Sequence, residues 1–263
     1  MESDLTPLRR RILETAYHAG EGHVPSALSI LEIVQVLYTD TMSPNGERSG
    51  ALLDKANWQE PDADCFVLSK GHGCLALYAV LEACAFIGGA DMATFCKRGG
   101  GLGGHPDADK IPGVWASTGS LGHGLPIAVG MAYAKKIRGD KGRVFCLVGD
   151  GEMQEGSALE ALRLVQALDV ANLCLIVDCN GSHGKSAPLF AILRGFEFHV
   201  RIVAGHDRHV LPPALSNYST YPVAVMAQTI KGYGIPAMAK DPAAWHRRTP
   251  TADEYRKMME FLA

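Results

Sequence analysis

Val144-Phe145-Cys146-Leu147-Val148-Gly149-Asp150-Gly151-Glu152-Met153-Gln154-Glu155-Gly156 is the stretch on which the reading of this chain turns. It opens on a continuous apolar run, the pattern of a strand buried on both faces, and that run stops at Gly149-Asp150-Gly151. Beyond it Ala158, Leu159, Ala161, Leu162, Val165 and Leu168 recur at helical spacing. Leu173-Cys174-Leu175-Ile176-Val177 then reads as a second buried strand, running into Asp178-Cys179-Asn180-Gly181. In a parallel sheet such a strand, helix, strand unit crosses over right-handed and brings both strand ends to one edge, where open α/β sheets bind ligands. Asp150 and Asn180, thirty residues apart, are therefore predicted to converge. A carboxylate, an amide oxygen and nearby carbonyls are hard donors, suited to a magnesium ion that completes its shell with water and phosphate. The glycines let backbone approach those phosphates. Gly-Asp-Gly alone is a common turn; its pairing with Asn180-Gly181 is what points to chemistry.

Working outward, 263 residues with 47% hydrophobic side chains and 29 glycines fit one large α/β domain over residues 1–263, a parallel sheet flanked by helices. A net charge of -3 and the lack of a basic run give no electrostatic reason to expect nucleic acid. No apolar run approaches the length of a membrane span, and Met1 to Thr15 holds no signal-peptide core, so a cytoplasmic protein is expected. The seven cysteines contain no Cys-x-x-Cys and sit mostly in apolar patterns, which predicts buried reduced thiols.

Helices are expected over Leu5 to Ala19 and Ala27 to Tyr38, with the loop Gly20-Glu21-Gly22-His23-Val24-Pro25-Ser26 between them. Residues 40 to 63 read as an exposed polar excursion. Cys65 to Leu68 is a buried strand ending in Ser69-Lys70-Gly71-His72-Gly73, so His72 stands at a helix amino terminus, where backbone amides favour anions. Gly104-His105-Pro106 closes a glycine-rich loop, and Ser117 to Gly124 opens a helix in which Ile127, Ala128, Met131 and Ala134 are expected to face inward. His199 to Val203 and Val223 to Ile230 are further strands, separated by a helix that Pro212-Pro213 weakens, and a last helix runs from Ala252 to Leu262. The sheet is expected to hold at least five strands.

Taken in order, the loops resemble the amino-terminal, diphosphate-binding part of the transketolase family, in the form of one half of a split enzyme. The resemblance runs from about residue 8 to residue 258. It rests on Gly22-His23-Val24-Pro25-Ser26, Leu68-Ser69-Lys70-Gly71-His72, Gly104-His105-Pro106, Thr118 to Gly124, the Gly-Asp-Gly to Asn pair, Gly205-His206-Asp207, Thr229 to Gly234 and Trp245-His246. It implies the thiamine-diphosphate-binding fold and the transfer of a two-carbon ketol group from a ketose to an aldehyde-type acceptor. Thiamine diphosphate supplies the carbon nucleophile and the protein manages protons, a task for imidazoles near neutral pKa.

By the same resemblance Asp150, Asn180 and the Ser182 carbonyl would hold Mg2+. Gly149 and Gly151 would lie by the diphosphate, and His72 and His246 near the diphosphate and thiazolium. His23 and His105 would meet sugar hydroxyls, Gly119 and Leu121 the aminopyrimidine, and Glu155 and Glu160 the subunit interface, with Glu155 counted among the catalytic and cofactor-binding groups. A full-length relative would continue past Ala263 into a pyrimidine-binding domain. The expected partner is therefore a separate carboxy-terminal transketolase subunit, in an α2β2 heterotetramer. His183 and Lys185 in a shortened stretch after Asn180, His123 and Arg247 depart from the family pattern and bear on the substrate, a sugar or ketol of undefined identity. The rival readings are another thiamine-diphosphate enzyme, such as a 2-oxoacid dehydrogenase subunit, and a non-catalytic scaffold.

Overall fold

The apolar runs become strands because alternate side chains enter two separate cores. In the computed structural model, which describes residues 4–39, 41–42, 48–50, 53, 55–181, 188–216 and 220–263, Phe145 and Leu147 point into one core while Val144, Cys146 and Val148 point into the other. Val223 and Val225 are likewise parted from Ala224.

The chain begins with α1 (Thr6–Ala19), α2 (Val24–Leu28) and α3 (Leu31–Thr39), followed by a short antiparallel pair, β1 (Thr41–Met42) and β2 (Arg48–Gly50). Next come β3 (Cys65–Leu68), α4 (Cys74–Ala83), the single turn α5 (Gly89–Met92) and α6 (Gly124–Arg138). The central unit is β4 (Val144–Gly149), α7 (Gly156–Ala167) and β5 (Leu173–Cys179). After it lie α8 (Leu189–Gly195), β6 (His199–Ala204), α9 (Leu211–Ser216), β7 (Val223–Gln228), α10 (Pro236–Lys240) and α11 (Ala252–Phe261). Five strands form one parallel sheet in the order β3-β4-β5-β7-β6. Helices α1 to α4 pack on one face and α6 and α7 on the other. All the strands run the same way, so their carboxyl ends share one edge.

Two expectations change. The single helix expected from Ala27 to Tyr38 is two, parted at Ser29-Ile30, where Ser29 Oγ turns to Asp178 Oδ2 at 2.7 Å. A local tight turn, Ile30 N–H to Ala27 O at 3.2 Å, makes the bend. The inward stripe of α6 is Leu125, Ala128, Val129 and Ala132, whereas Ile127 is 41% exposed. Both stripes have helical spacing, and only the docking of α6 against β3 and β4 chooses between them. The apolar run from Leu189 to Leu193 lies in the helix α8. All seven cysteines are free thiols; Cys65, Cys74, Cys146 and Cys174 are buried as expected, whereas Cys84, Cys96 and Cys179 are partly exposed. Among the described residues no helix is long and apolar enough to cross a membrane.

Candidate active site

At the carboxyl edge of the sheet a cavity of about 580 Å3 opens. Its wall takes Lys70 and His72 from beyond β3, Gly149 from the last position of β4, Asp150, Gly151 and Glu152 from just past it, and Asn180 from beyond β5. Lys231, which follows β7, and Leu121, Pro242, Ala243 and His246 complete it. The predicted convergence of Asp150 and Asn180 is therefore observed.

Asp150 is buried, its Oδ1 accepting the Gly151 N–H and its Oδ2 the Gly181 N–H, each at 2.8 Å. These bonds aim the carboxylate by tying it to the backbone of both strand ends. Asn180 donates from Nδ2 to Asp178 Oδ2 at 2.8 Å, which turns its Oδ1 to the opposite side. Ser182, His183 and Lys185 lie outside the described residues.

Two lysines, Lys70 and Lys231, and two acids, Asp150 and Glu152, share the cavity wall. Lys231 is buried and reaches His246 Nδ1 at 3.2 Å; burial, with the Lys70 ammonium nearby, pushes its pKa down. A desolvated ammonium facing a cavity favours a bound anion. Phosphate would suit it, and would supply the oxygens a magnesium ion needs beyond Asp150 and Asn180. The residues present thus fit both a diphosphate and its metal. Among the described residues no group of three His, Cys, Asp or Glu is placed to hold a metal.

The histidines come from three distant loops. The His23 ring centroid lies 5.5 Å from that of His72 and 5.1 Å from that of His246, both edge-on. His23 donates from Nδ1 to the His246 carbonyl at 2.8 Å, which leaves Nε2 as its acceptor. His246 is in the complementary state: its Nδ1 accepts from Lys231, so Nε2 carries the proton. Burial is the main reason all three sit below the ordinary imidazole pKa. Lys70, His23, Lys231 and His246 add to it at His72, which falls to about 2. Arg247, His105 and Lys231 add to it at His23 against the His246 carbonyl, and Lys231, His23 and Arg247 at His246. Neutral imidazoles at pH 7 follow.

Gly119 has φ +152°, and a Cβ there would come within 3.1 Å of the His105 ring, so glycine is required for that ring to settle where it does. His105 and Glu155 are both exposed and outside the cavity wall; Glu155 precedes α7 and lies against Gly122, next to Leu121. Glu160 is exposed on α7.

Sequence reading assigned no role to Lys70, Glu152, Asp178 or Lys231, although each stood inside a quoted motif. Glu152, buried, accepts from Ser69 Oγ at 2.5 Å and the Gly122 N–H at 2.9 Å on Oε1, and the Gly149 N–H at 3.3 Å on Oε2. It braces three loops of the site, and burial raises its pKa in spite of those bonds. Asp178 and Lys70 form an ion pair at 0% and 1% exposure. A charge at the end of a wholly apolar run was the available signal, since such a charge must be paired or poised.

Residues 6–262 match the family described as the transketolase thiamine diphosphate binding domain. The chain belongs to the transketolase family. Human transketolase is 37% identical over 249 residues, covering 91% of this chain and 38% of its own length, so this chain spans well under half of that relative. A relative from Actinobacillus succinogenes, named as one of the subunits of an apulose-4-phosphate transketolase, is 32% identical over 273 residues, covering 100% of this chain and 95% of its own length. Among solved structures, transketolase from Leishmania mexicana superposes with TM-score 0.80 at 24% identity, over 99% of this chain and 42% of that one. The transketolase fold accounts for the sheet order and for the cavity at its carboxyl edge.

Proposed function

We propose that residues 1–263 form one diphosphate-binding module of a split transketolase, transferring a two-carbon ketol group from a ketose donor to an aldehyde-type acceptor. The observation that carries this reading is the meeting, around one cavity, of Asp150, Asn180, Lys231 and a neutral histidine cluster. Thiamine diphosphate would supply the carbon nucleophile and electron sink. Asp150 and Asn180 would hold Mg2+; Gly149, Gly151, His72 and Lys231 would lie against the diphosphate, and Gly119 and Leu121 against the aminopyrimidine.

The chain's own groups divide the proton work. His23 Nε2 offers a lone pair for a substrate hydroxyl proton, and His246 Nε2 offers an N–H to a developing oxyanion. His105 lies beside Gly119 as a further hydroxyl partner. Glu155, exposed before α7, acts toward a second chain that carries the pyrimidine-binding domain. The Actinobacillus succinogenes relative, itself named as one of several subunits and matched over 95% of its length, supports that division of labour. An α2β2 assembly is its simplest symmetric form, and the whole would work in the cytoplasm.

The test is a tagged pull-down from native lysate with Mg2+ and thiamine diphosphate present. An equimolar chain carrying a pyrimidine-binding domain is expected, and the purified pair should transfer ketol units between a ketose and an aldehyde. A chain recovered alone, or a pair that does not bind thiamine diphosphate, would overturn the reading.

A further inference from the structure

Asp178 is the most heavily engaged carboxylate of the site and lies wholly out of solvent. Its Oδ1 accepts from Thr229 Oγ1; its Oδ2 accepts from Lys70 Nζ, from Ser29 Oγ at 2.7 Å and from Asn180 Nδ2 at 2.8 Å. Its backbone carbonyl accepts the Asp150 N–H at 3.2 Å. Lys70 Nζ also reaches the Ser26 carbonyl at 3.4 Å and Ser29 Oγ at 3.3 Å. One buried residue therefore touches both strand ends that supply the predicted cation donors, Asn180 through its carboxylate and Asp150 through its backbone.

The consequence is directional. A primary amide can present either its oxygen or its NH2 to a neighbour, and only the oxygen binds a cation. With Asp178 Oδ2 on one side of Asn180, the flipped amide would set oxygen against carboxylate oxygen in a buried place, where repulsion is strong. The observed orientation holds NH2 on Asp178 and turns Oδ1 away from it. Lys70 matters because it neutralises Asp178: an unpaired second carboxylate beside Asp150 would be costly to bury. We propose that Asp178, paired with Lys70, is a positioning residue that locks the Asn180 amide with its oxygen toward the cation site. The proposal rests on the metal-diphosphate reading given above.

Asp178→Leu and Asp178→Asn together separate this role from simple packing. Both remove the charge that faces Lys70. In Asp178→Asn the ammonium, which can only donate, holds the new amide oxygen at the Oδ2 place, where it still accepts from Asn180, and the new NH2 faces Thr229 Oγ1, which can accept. Asp178→Leu offers no acceptor, so the Asn180 amide is released; Lys70→Met/Asp178→Leu does the same without an unpaired ammonium. Ser29→Ala and Thr229→Val take other bonds from Asp178 and leave the Asn180 contact in place.

Two readouts on the full chain decide the matter. The first needs no ligand: among the five asparagines, labelled selectively with nitrogen-15, the Asn180 side-chain NH2 should resist hydrogen exchange in the wild type, both control variants and Asp178→Asn. It should lose that protection in Asp178→Leu and in the double variant. The second is Mn2+ affinity by paramagnetic resonance with thiamine diphosphate present, expected to fall about 10–100-fold in Asp178→Leu and to stay within about threefold in Asp178→Asn and the controls. A purely structural role would instead lower affinity in step with each variant's stability. An unprotected Asn180 amide in the wild type, or unchanged Mn2+ affinity in Asp178→Leu, overturns the proposal. If the Asp178→Leu chain does not fold, an Asn180 amide that stays protected in the double variant overturns it equally. Wild-type protein that takes up no Mn2+ defeats the metal reading, while the exchange experiment still decides the amide's orientation.

Discussion

Replacing His72 by glutamine should flatten the acid side of the stability profile. The wild-type imidazole is held down to about 2 by burial and by the ammoniums and imidazoles around it, against an ordinary value of 6.5 in the unfolded chain. Between those values the unfolded state binds a proton that the folded state refuses, so stability falls as pH falls. The group contributes nothing at pH 7.5, where both states are neutral. Each pH unit below 6.5 then costs about 1.4 kcal/mol, or roughly 2 kcal/mol by pH 5. His23 and His246, also lowered, add to the wild-type loss, but they are present in both proteins and largely cancel in the difference. Urea unfolding at pH 7.5 and at pH 5 gives the four free energies required. The wild type should lose about 2 kcal/mol more than His72→Gln over that interval. Equal losses would mean that His72 protonates normally in the folded protein, and the case for a cluster kept neutral as proton acceptors would fall with it.

Glu152→Ala should cost about 3 kcal/mol in urea unfolding, because the Gly122 and Gly149 N–H groups and the Ser69 hydroxyl lose a buried acceptor; Glu152→Gln, which keeps the Oε1 bonds, should cost about 1 kcal/mol. Gly124→Ala would drive a Cβ against Ser69 Oγ and to 2.6 Å from its Cα, so α6 must back off β3 at a cost of about 1–3 kcal/mol, readable as a lowered Tm. Lys231→Met should weaken thiamine diphosphate binding about tenfold by calorimetry and make it less sensitive to salt, since the variant removes a charge-assisted donor from the cavity. An unchanged salt dependence would place Lys231 away from the diphosphate.

Much of this protein is legible along the chain. The run from Val144 to Val148 has the pattern of a strand with both faces covered, and Gly149-Asp150-Gly151 has the turn chemistry that ends one. The crossover rule then brought Asn180 to the same edge without any knowledge of what packs where. His72 was readable at a helix start for the same reason: strand, turn and helix are local patterns with their own periods. Other features depend on partners far away in sequence. Ser29 breaks a helix that its neighbours favour because it meets Asp178, 149 residues on, at a distance of 2.7 Å. Ile127 and Leu125 both satisfy helical spacing, and only the sheet beneath decides that Leu125 is buried and Ile127 is not. His23 and His246 acquire opposite proton states because the His246 carbonyl and Lys231, on either side of α10, reach them. Local sequence sets backbone period and turn chemistry, whereas buried charge pairing and imidazole tautomers are set by whichever groups the tertiary fold brings within hydrogen-bond reach.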